Sequence, residues 1–234
     1  MFFDTIGGLD KIFRADIKPP KVIMVSGMPG TMKSSFVYLL LTKYVDLTGD
    51  FGLYATLEET TESHLNNMES IGLVPSINLQ ISDYTDFRSE EQDDTVDYLD
   101  FTEKMIKFFK EKHGNRFTTF AFDSLGALYS LMPSNGTNMR ARIYHFFKML
   151  REQNLISFII MERSLEGESH LLGNEGFLTD GIIVLGLKRN QGRIKRFLQV
   201  EKMRAVPHSM EMHAMELVDS GMRVLGPIFD DDEK

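Results

Sequence analysis

The sequence predicts an α/β protein with a mainly parallel sheet, helices on both faces and an antiparallel extension at its C-terminal end. Three observations carry that expectation. Strand-like and helix-like segments alternate from residue 22 to residue 161, which is the pattern of successive βαβ units. The first apolar run, Val22-Ile23-Met24-Val25, feeds a glycine-containing loop that opens a helix. From residue 181 the helical period gives way to consecutive strand-like runs separated by short turns.

The elements follow in order. Residues 22–26 read as a buried strand, and residues 33–45 as a helix with Phe36, Val37, Leu40 and Leu41 on its apolar face. Residues 52–57 form the next strand, ended by Glu58-Glu59. Residues 60–71 form a helix that Gly72 stops. A strand is expected at 79–82, a helix at 102–112, a strand at 117–122, a helix at 138–152 and a strand at 157–161. Met139, Ile143, Phe146, Phe147 and Leu150 share one face of the helix at 138–152. Residues 181–187 and 196–203 then flank a turn-rich stretch at 188–192, which predicts a hairpin. Further strands are expected at 210–218 and 222–225. The chain is read as one domain over 1–234, with an acidic loop at 89–100 and a frayed tail at 230–234. That loop holds Glu90, Glu91, Asp93, Asp94, Asp97 and Asp100. A solvated loop or lid is the plain reading, and docking of a basic partner the alternative.

Composition narrows the class. With 234 residues, 42% hydrophobic and 26% charged, the chain can bury a substantial core. Its apolar runs are too short to cross a bilayer, and its first residues lack a signal-peptide pattern. The absence of cysteine excludes disulfides and thiolate metal sites, and a cytoplasmic location is expected. The net charge of −8 argues against nucleic acid as a partner. Lys188, Arg189, Arg193, Lys195 and Arg196 form the one basic cluster.

Residues 27–35 read Gly-Met-Pro-Gly-Thr-Met-Lys-Ser-Ser. A loop of this kind points successive backbone N–H groups at phosphates. Its lysine neutralises phosphate charge, and the next hydroxyl ligates Mg²⁺. ATP and Mg²⁺ are the expected ligands, held by Gly27, Met28, Pro29, Gly30, Thr31, Met32, Lys33, Ser34 and Ser35, with Ser34 on the metal. Met32 occupies the position where the usual pattern has glycine. Asp123 closes the strand Phe-Thr-Thr-Phe-Ala-Phe-Asp and is the second metal-side candidate. An aspartate there also serves as a helix cap. Glu58 and Glu59 lie where an open sheet binds its ligand and where a carboxylate activates water. Either one equally suits the positive end of the following helix.

These residues resemble the KaiC-like ATPases of the RecA superfamily. The resemblance rests on Thr5-Ile6-Gly7-Gly8-Leu9-Asp10, the loop, Leu57-Glu58-Glu59, Phe122-Asp123-Ser124-Leu125, Asp180-Gly181-Ile182-Ile183 and Lys202-Met203-Arg204-Ala205, in the same order. It spans about residues 5 to 226 and implies a RecA-like P-loop fold and a ring, usually a hexamer, with ATP between neighbours. It also implies that Lys202 and Arg204 reach the next subunit's γ-phosphate, and that His208 lines the nucleotide. Read as a strand, Lys-x-Arg puts both cations on one face. Ala205 stands where the family has glycine.

The leading reading is therefore a Mg²⁺-dependent ATP hydrolase that regulates a protein partner, with autokinase activity as a variant. A nucleotide-binding switch with little turnover is the runner-up, favoured by Met32. A recombinase or helicase is a third, opposed by Glu166, Glu168 and Glu175 and the lack of Lys or Arg in residues 164–179. A copper site built from His208, Met210, Met212, His213 and Met215 is set aside, because strand alternation splits those ligands between two faces. Arg163 is expected either to sense the nucleotide or to form an ordinary ion pair.

Overall fold

The protein is described by a computed structural model that covers residues 1–84, 97–131, 138–163, 172–190, 193–219 and 221–228. Its strands are β1 (Lys21–Gly27), β2 (Phe51–Thr56), β3 (Leu79–Asp83), β4 (Phe117–Asp123), β5 (Ile156–Glu162), β6 (Gly181–Asn190), β7 (Arg193–Met203), β8 (His213–Val218) and β9 (Gly221–Pro227). They form one sheet in the order β3-β2-β4-β5-β1-β6-β7-β8-β9. Pairings from β3 to β6 are parallel, and those from β6 to β9 antiparallel. The helices are α1 (Lys33–Thr48), α2 (Thr61–Ser70), α3 (Tyr98–His113), α4 (Leu125–Leu131), α5 (Met139–Glu152) and α6 (Leu172–Leu178). Short 3₁₀ turns at Phe2–Asp4 and Leu9–Lys11 precede them.

Alternation along the central strands feeds two cores. Val22 and Met24 of β1 point into a core with residues of α3, α4 and α5. Ile23 and Val25 point into the opposite core, against α1, Met68 of α2 and the N-terminal Phe2, Ile6 and Leu9. Both faces of the parallel sheet are thus covered, which is why its strands read as continuous apolar runs.

Several boundaries differ from the sequence expectation. Helix α3 begins at Tyr98, four residues before the expected start. Asp97 caps it by accepting from the Asp100 amide at 3.1 Å, and Tyr98 and Leu99 bury in its first turn. Asp97 and Asp100 therefore belong to a helix start, where acids suit the dipole. Residues 89–96 of the expected acidic loop, and the tail at 230–234, lie outside the described residues. The hairpin is longer than expected, since Lys188, Arg189, Arg193 and Lys195 are paired within β6 and β7. Strand β8 starts at His213, so Met210 and Met212 are not strand residues.

The sheet fixes where chemistry can occur. The C-terminal ends of β1, β2, β4 and β5 share one edge: Thr56 pairs with Asp123, and Gly27 with Glu162. Strand β7 runs the other way. It ends at Met203, opposite Gly181, which in turn pairs with Ile23 near the start of β1. Arg204 then leaves the strand into a turn, where exposed Ala205 takes a left-handed φ of 57°. A side chain in that region costs free energy that glycine avoids. Ala205→Gly is expected to raise stability by about 0.5–1 kcal/mol in urea unfolding, after glycine's greater unfolded-state freedom is offset. A neutral or negative change would mean that this turn carries no strain.

Candidate nucleotide and metal site

The loop is shaped by two glycines and one threonine. Gly27 lies where β1 passes so close to β6 that a Cβ would stand 2.2 Å from the Leu185 carbonyl oxygen and 2.7 Å from Thr31 Oγ1. Gly30 turns the loop with φ 79°, and a Cβ there would meet no atom within 4 Å. Buried Thr31 closes the turn by donating from Oγ1 to the Met28 carbonyl at 2.8 Å. Met32 is left-handed, φ 71° and ψ 35°, and stands at the N-cap of α1. The backbone that glycine would adopt is thus kept by methionine, whose side chain packs against the core beneath α1. That contact offsets part of the conformational cost. Lys33 is buried and donates from Nζ to the Met28 carbonyl at 3.2 Å, so its ammonium lies folded over the loop.

Asp123 and Ser34 come together. The Ser34 hydroxyl is near enough to the Asp123 carboxylate to favour its charged form. Tyr54 donates to Asp123 Oδ2 at 2.6 Å. Burial pushes the Asp123 carboxyl up to about 6, and the Glu58 charge adds to this. Bonds from Tyr54 and Ser34, with the Lys33 charge, pull the other way. The dry carboxylate beside the loop serine forms no ion pair, the Lys33 charge acting on it only from nearby, and a divalent cation fits that need. Burial also lifts the Tyr54 phenol well above its ordinary value, so its hydroxyl keeps its proton.

The two glutamates separate into different environments. Glu58 is exposed, and its Oε1 accepts from Ser124 Oγ at 2.5 Å. Glu59 is tied into α2: it accepts from Ser63 Oγ at 3.0 Å and Asn67 Nδ2 at 2.8 Å, and meets His64 Nδ1 at 2.8 Å. Burial holds the His64 imidazole below its ordinary pKa despite Glu59, so the contact at neutral pH is a hydrogen bond from a neutral ring. Glu58 keeps freedom to act on a ligand, whereas Glu59 is spent on the helix. Tyr54 carries no motif in the sequence, His64 shows no ligand spacing there, and Ser124 enters only within the Phe122–Leu125 motif. A polar residue inside an apolar strand, or one after the strand-end acid, was the available signal.

Lys202, Arg204 and His208 lie elsewhere. Lys202 donates from Nζ to the carbonyls of Gly176 and Thr179 at 2.9 and 2.6 Å. Arg204 meets Asp180 at 3.4 Å, and Asp180 also accepts from Arg151 Nε and the Val22 amide at 2.9 and 3.0 Å. Although Arg204 is off the strand, both cations converge on the segment after α6. Arg204 donates its amide to Asp180, whose own amide donates to the Val22 carbonyl. Its backbone is therefore level with Val22, roughly 16 Å along β1 from Gly27 at about 3.3 Å per residue. His208 bridges to Phe13 and points Nδ1 at the Val206 carbonyl, 2.8 Å away. Arg163 donates to Ser26 Oγ at 3.2 Å and pairs with Glu201 at 3.2 Å, which makes its partner a β7 residue. Among the described residues no cluster of three or more His, Asp or Glu suits a metal ion on its own.

The Asp123 environment predicts a pH-dependent stability. An ordinary carboxyl titrates near 3.9, and the folded one at about 6, so the fold binds the proton more tightly than the unfolded chain. Stability of the ligand-free protein should therefore fall as pH rises from about 4 to 6 and stay lowered at pH 7. Asp123→Asn removes the buried charge and is expected to stabilise the ligand-free protein by up to about 2–3 kcal/mol at pH 7, with little gain near pH 4. Urea unfolding at both pH values reads the difference, and a pH-independent gain would contradict the burial account.

Comparison with known proteins agrees with this geometry. A family model described as "ATPase: KaiC" matches residues 4–227. A UPF0273 protein of Thermotoga maritima is 27% identical, covering 93% of this chain and 92% of its own length. One from Pyrococcus furiosus is 28% identical, covering 94% and 91%. The circadian clock oscillator protein KaiC of Nostoc sp. is 22% identical over 94% of this chain, but the match spans only 43% of that protein. Among solved structures, a KaiC-like protein of Pyrococcus horikoshii superposes with a TM-score of 0.79 at 21% identity, covering 95% of this chain and 97% of that one. The strand order, the loop ahead of α1 and a match over nearly the whole chain place the protein in the KaiC-like ATPase family of the RecA superfamily.

Proposed function

We propose that the chain binds ATP with Mg²⁺ at residues 27–35 and hydrolyses it at the junctions of a homo-oligomeric ring, a hexamer in the family pattern. The nucleotide state then controls a protein partner. The observation that carries this reading is the meeting of Ser34, Asp123 and the Glu58–Ser124 pair at one sheet edge, while Arg204 stands at the other end of β1 and Lys202 turns its ammonium to the Gly176 and Thr179 carbonyls. An arginine side chain does not span that distance to its own loop, so a role for these cations requires a neighbour.

In this reading the loop amides and Lys33 bind the phosphates, and Ser34 and Asp123 hold the metal, Asp123 through water. The metal, when bound, neutralises phosphate charge. Glu58 orients the attacking water and accepts its proton, with its other oxygen fixed by Ser124. Glu59 assists by anchoring the strand end to α2. Lys202 and Arg204 stabilise the charge that develops on the neighbour's transferring phosphoryl group, and His208 lines the same junction. Among the described residues no helix is long and apolar enough to cross a membrane, and neither nucleic acid nor membrane is part of the proposal.

Glu58→Gln is expected to lower kcat by about 10²- to 10⁴-fold while leaving nucleotide binding intact. If the native chain also fails to turn over ATP, the runner-up switch holds, the reading that the left-handed Met32 favours. A second test separates the cis and trans arrangements. Glu58→Gln and Arg204→Ala subunits, each inactive alone, should regain partial activity when co-assembled, because some junctions then combine an intact Glu58 with an intact Arg204. No recovery in mixed rings, or a strict monomer with Mg²⁺ and ATP on a sizing column, would remove the trans role.

A further inference from the structure

Tyr54 is a fully buried phenol in the middle of β2, flanked by apolar Leu53 and Ala55. Its hydroxyl donates to Asp123 Oδ2 at 2.6 Å, and Ser34 is near enough to affect the phenol's ionisation. One buried hydroxyl therefore bonds the carboxylate assigned to the metal and stands close to the loop serine. Its ring is held from two sides. His64 of α2 packs against it at 4.6 Å between centroids, and Tyr38 of α1 meets it edge-on at 6.2 Å. His64 also meets Tyr38 edge-on at 5.3 Å and is pinned by Glu59. Three aromatic rings thus fasten the helix that carries Ser34, the strand that precedes Glu58, and the carboxylate that ends β4.

A carboxylate at a strand end is free to turn about its last torsion and to offer either oxygen. A fixed donor on Oδ2 restricts that freedom and makes the two oxygens inequivalent. Second-sphere partners of this kind orient metal-ligating carboxylates and raise affinity for the ion. We propose that Tyr54 is a positioning residue for magnesium-dependent nucleotide binding, setting which Asp123 oxygen faces the Ser34 side, with His64 clamping its ring. This rests on the reading of Ser34 and Asp123 as the metal-side pair.

The test is a Mg²⁺ titration of the full chain with a fluorescent ATP analogue, read as binding and not as turnover. Tyr54→Phe should raise the Mg²⁺ concentration for half-maximal binding by about 10- to 100-fold. Nucleotide affinity in EDTA should stay unchanged. Tyr38→Phe deletes a buried hydroxyl that has no hydrogen-bond partner, and should leave the Mg²⁺ requirement where it was. Asp123→Asn separates the two levels of the argument. If it weakens the Mg²⁺ dependence and Tyr54→Phe does not, the positioning role is overturned. If Asp123→Asn leaves the dependence intact, the assignment of Asp123 to the metal fails first. Should Tyr54→Phe not fold, the native chain labelled at its tyrosine ζ-carbons supplies a second readout. The Tyr54 resonance is expected to shift on adding nucleotide with Mg²⁺ and to hold still with nucleotide in EDTA. An unmoved resonance under both conditions overturns the proposal.

Discussion

The buried carboxylate of Asp123 is the constraint around which the site is arranged. Removing a carboxylate from water is unfavourable unless donors or an opposite charge replace the solvent. Here Tyr54 supplies a donor, and Ser34 and Lys33 lie near enough to favour the charged form. Each comes from an element that must be held in place for the contact to exist. Strand β2 brings Tyr54 beside β4 through the Thr56–Asp123 pairing, and the loop ahead of α1 brings Lys33 and Ser34. Packing of α1 onto one face of the sheet is therefore a condition of the chemistry at its edge.

Much of this was legible in the sequence, for identifiable reasons. The loop and its helix were readable because phosphate binding restricts residue types over a short stretch. The central strands were readable because burial on both faces makes them apolar throughout. Short elements were not: α4 and α6 span seven residues each, too few to display a helical period. The start of α3 was hidden by acids that look like a solvated loop but serve as a cap. The hairpin was expected, but with its turn drawn over 188–192 because those residues are turn-rich; the pairing of Lys188 and Arg189 depends on strand partners a local reading does not see. Glu58 and Glu59 were identical as sequence signals. Only the contacts of Glu59 with Ser63, His64 and Asn67 tell them apart.

Two left-handed residues carry a related lesson. Met32 and Ala205 stand where the resemblance has glycine, and both keep the positive φ that glycine would take. The backbone path at these points is set by what surrounds it, and the side chain adapts at some cost. A departure from a motif in residue type is not a departure in geometry. The strict loop pattern would reject this chain, although its fold agrees with the KaiC-like neighbour over nearly the whole length.

The contacts of Lys202 have an electrostatic consequence. Asp180 is shared by Arg151, Arg204 and a backbone amide, so its negative charge is already divided. Lys202 is held by two carbonyl oxygens, which orient its ammonium without cancelling it. Burial and the neighbouring Arg204 lower its pKa. The end of β7 thus holds a cation fixed in direction and repelled by the Arg204 and Arg151 guanidinium groups, with Asp180 offsetting part of that repulsion. Bringing a multiply charged anion to this edge would relieve that crowding, which is the electrostatic side of the proposed trans role.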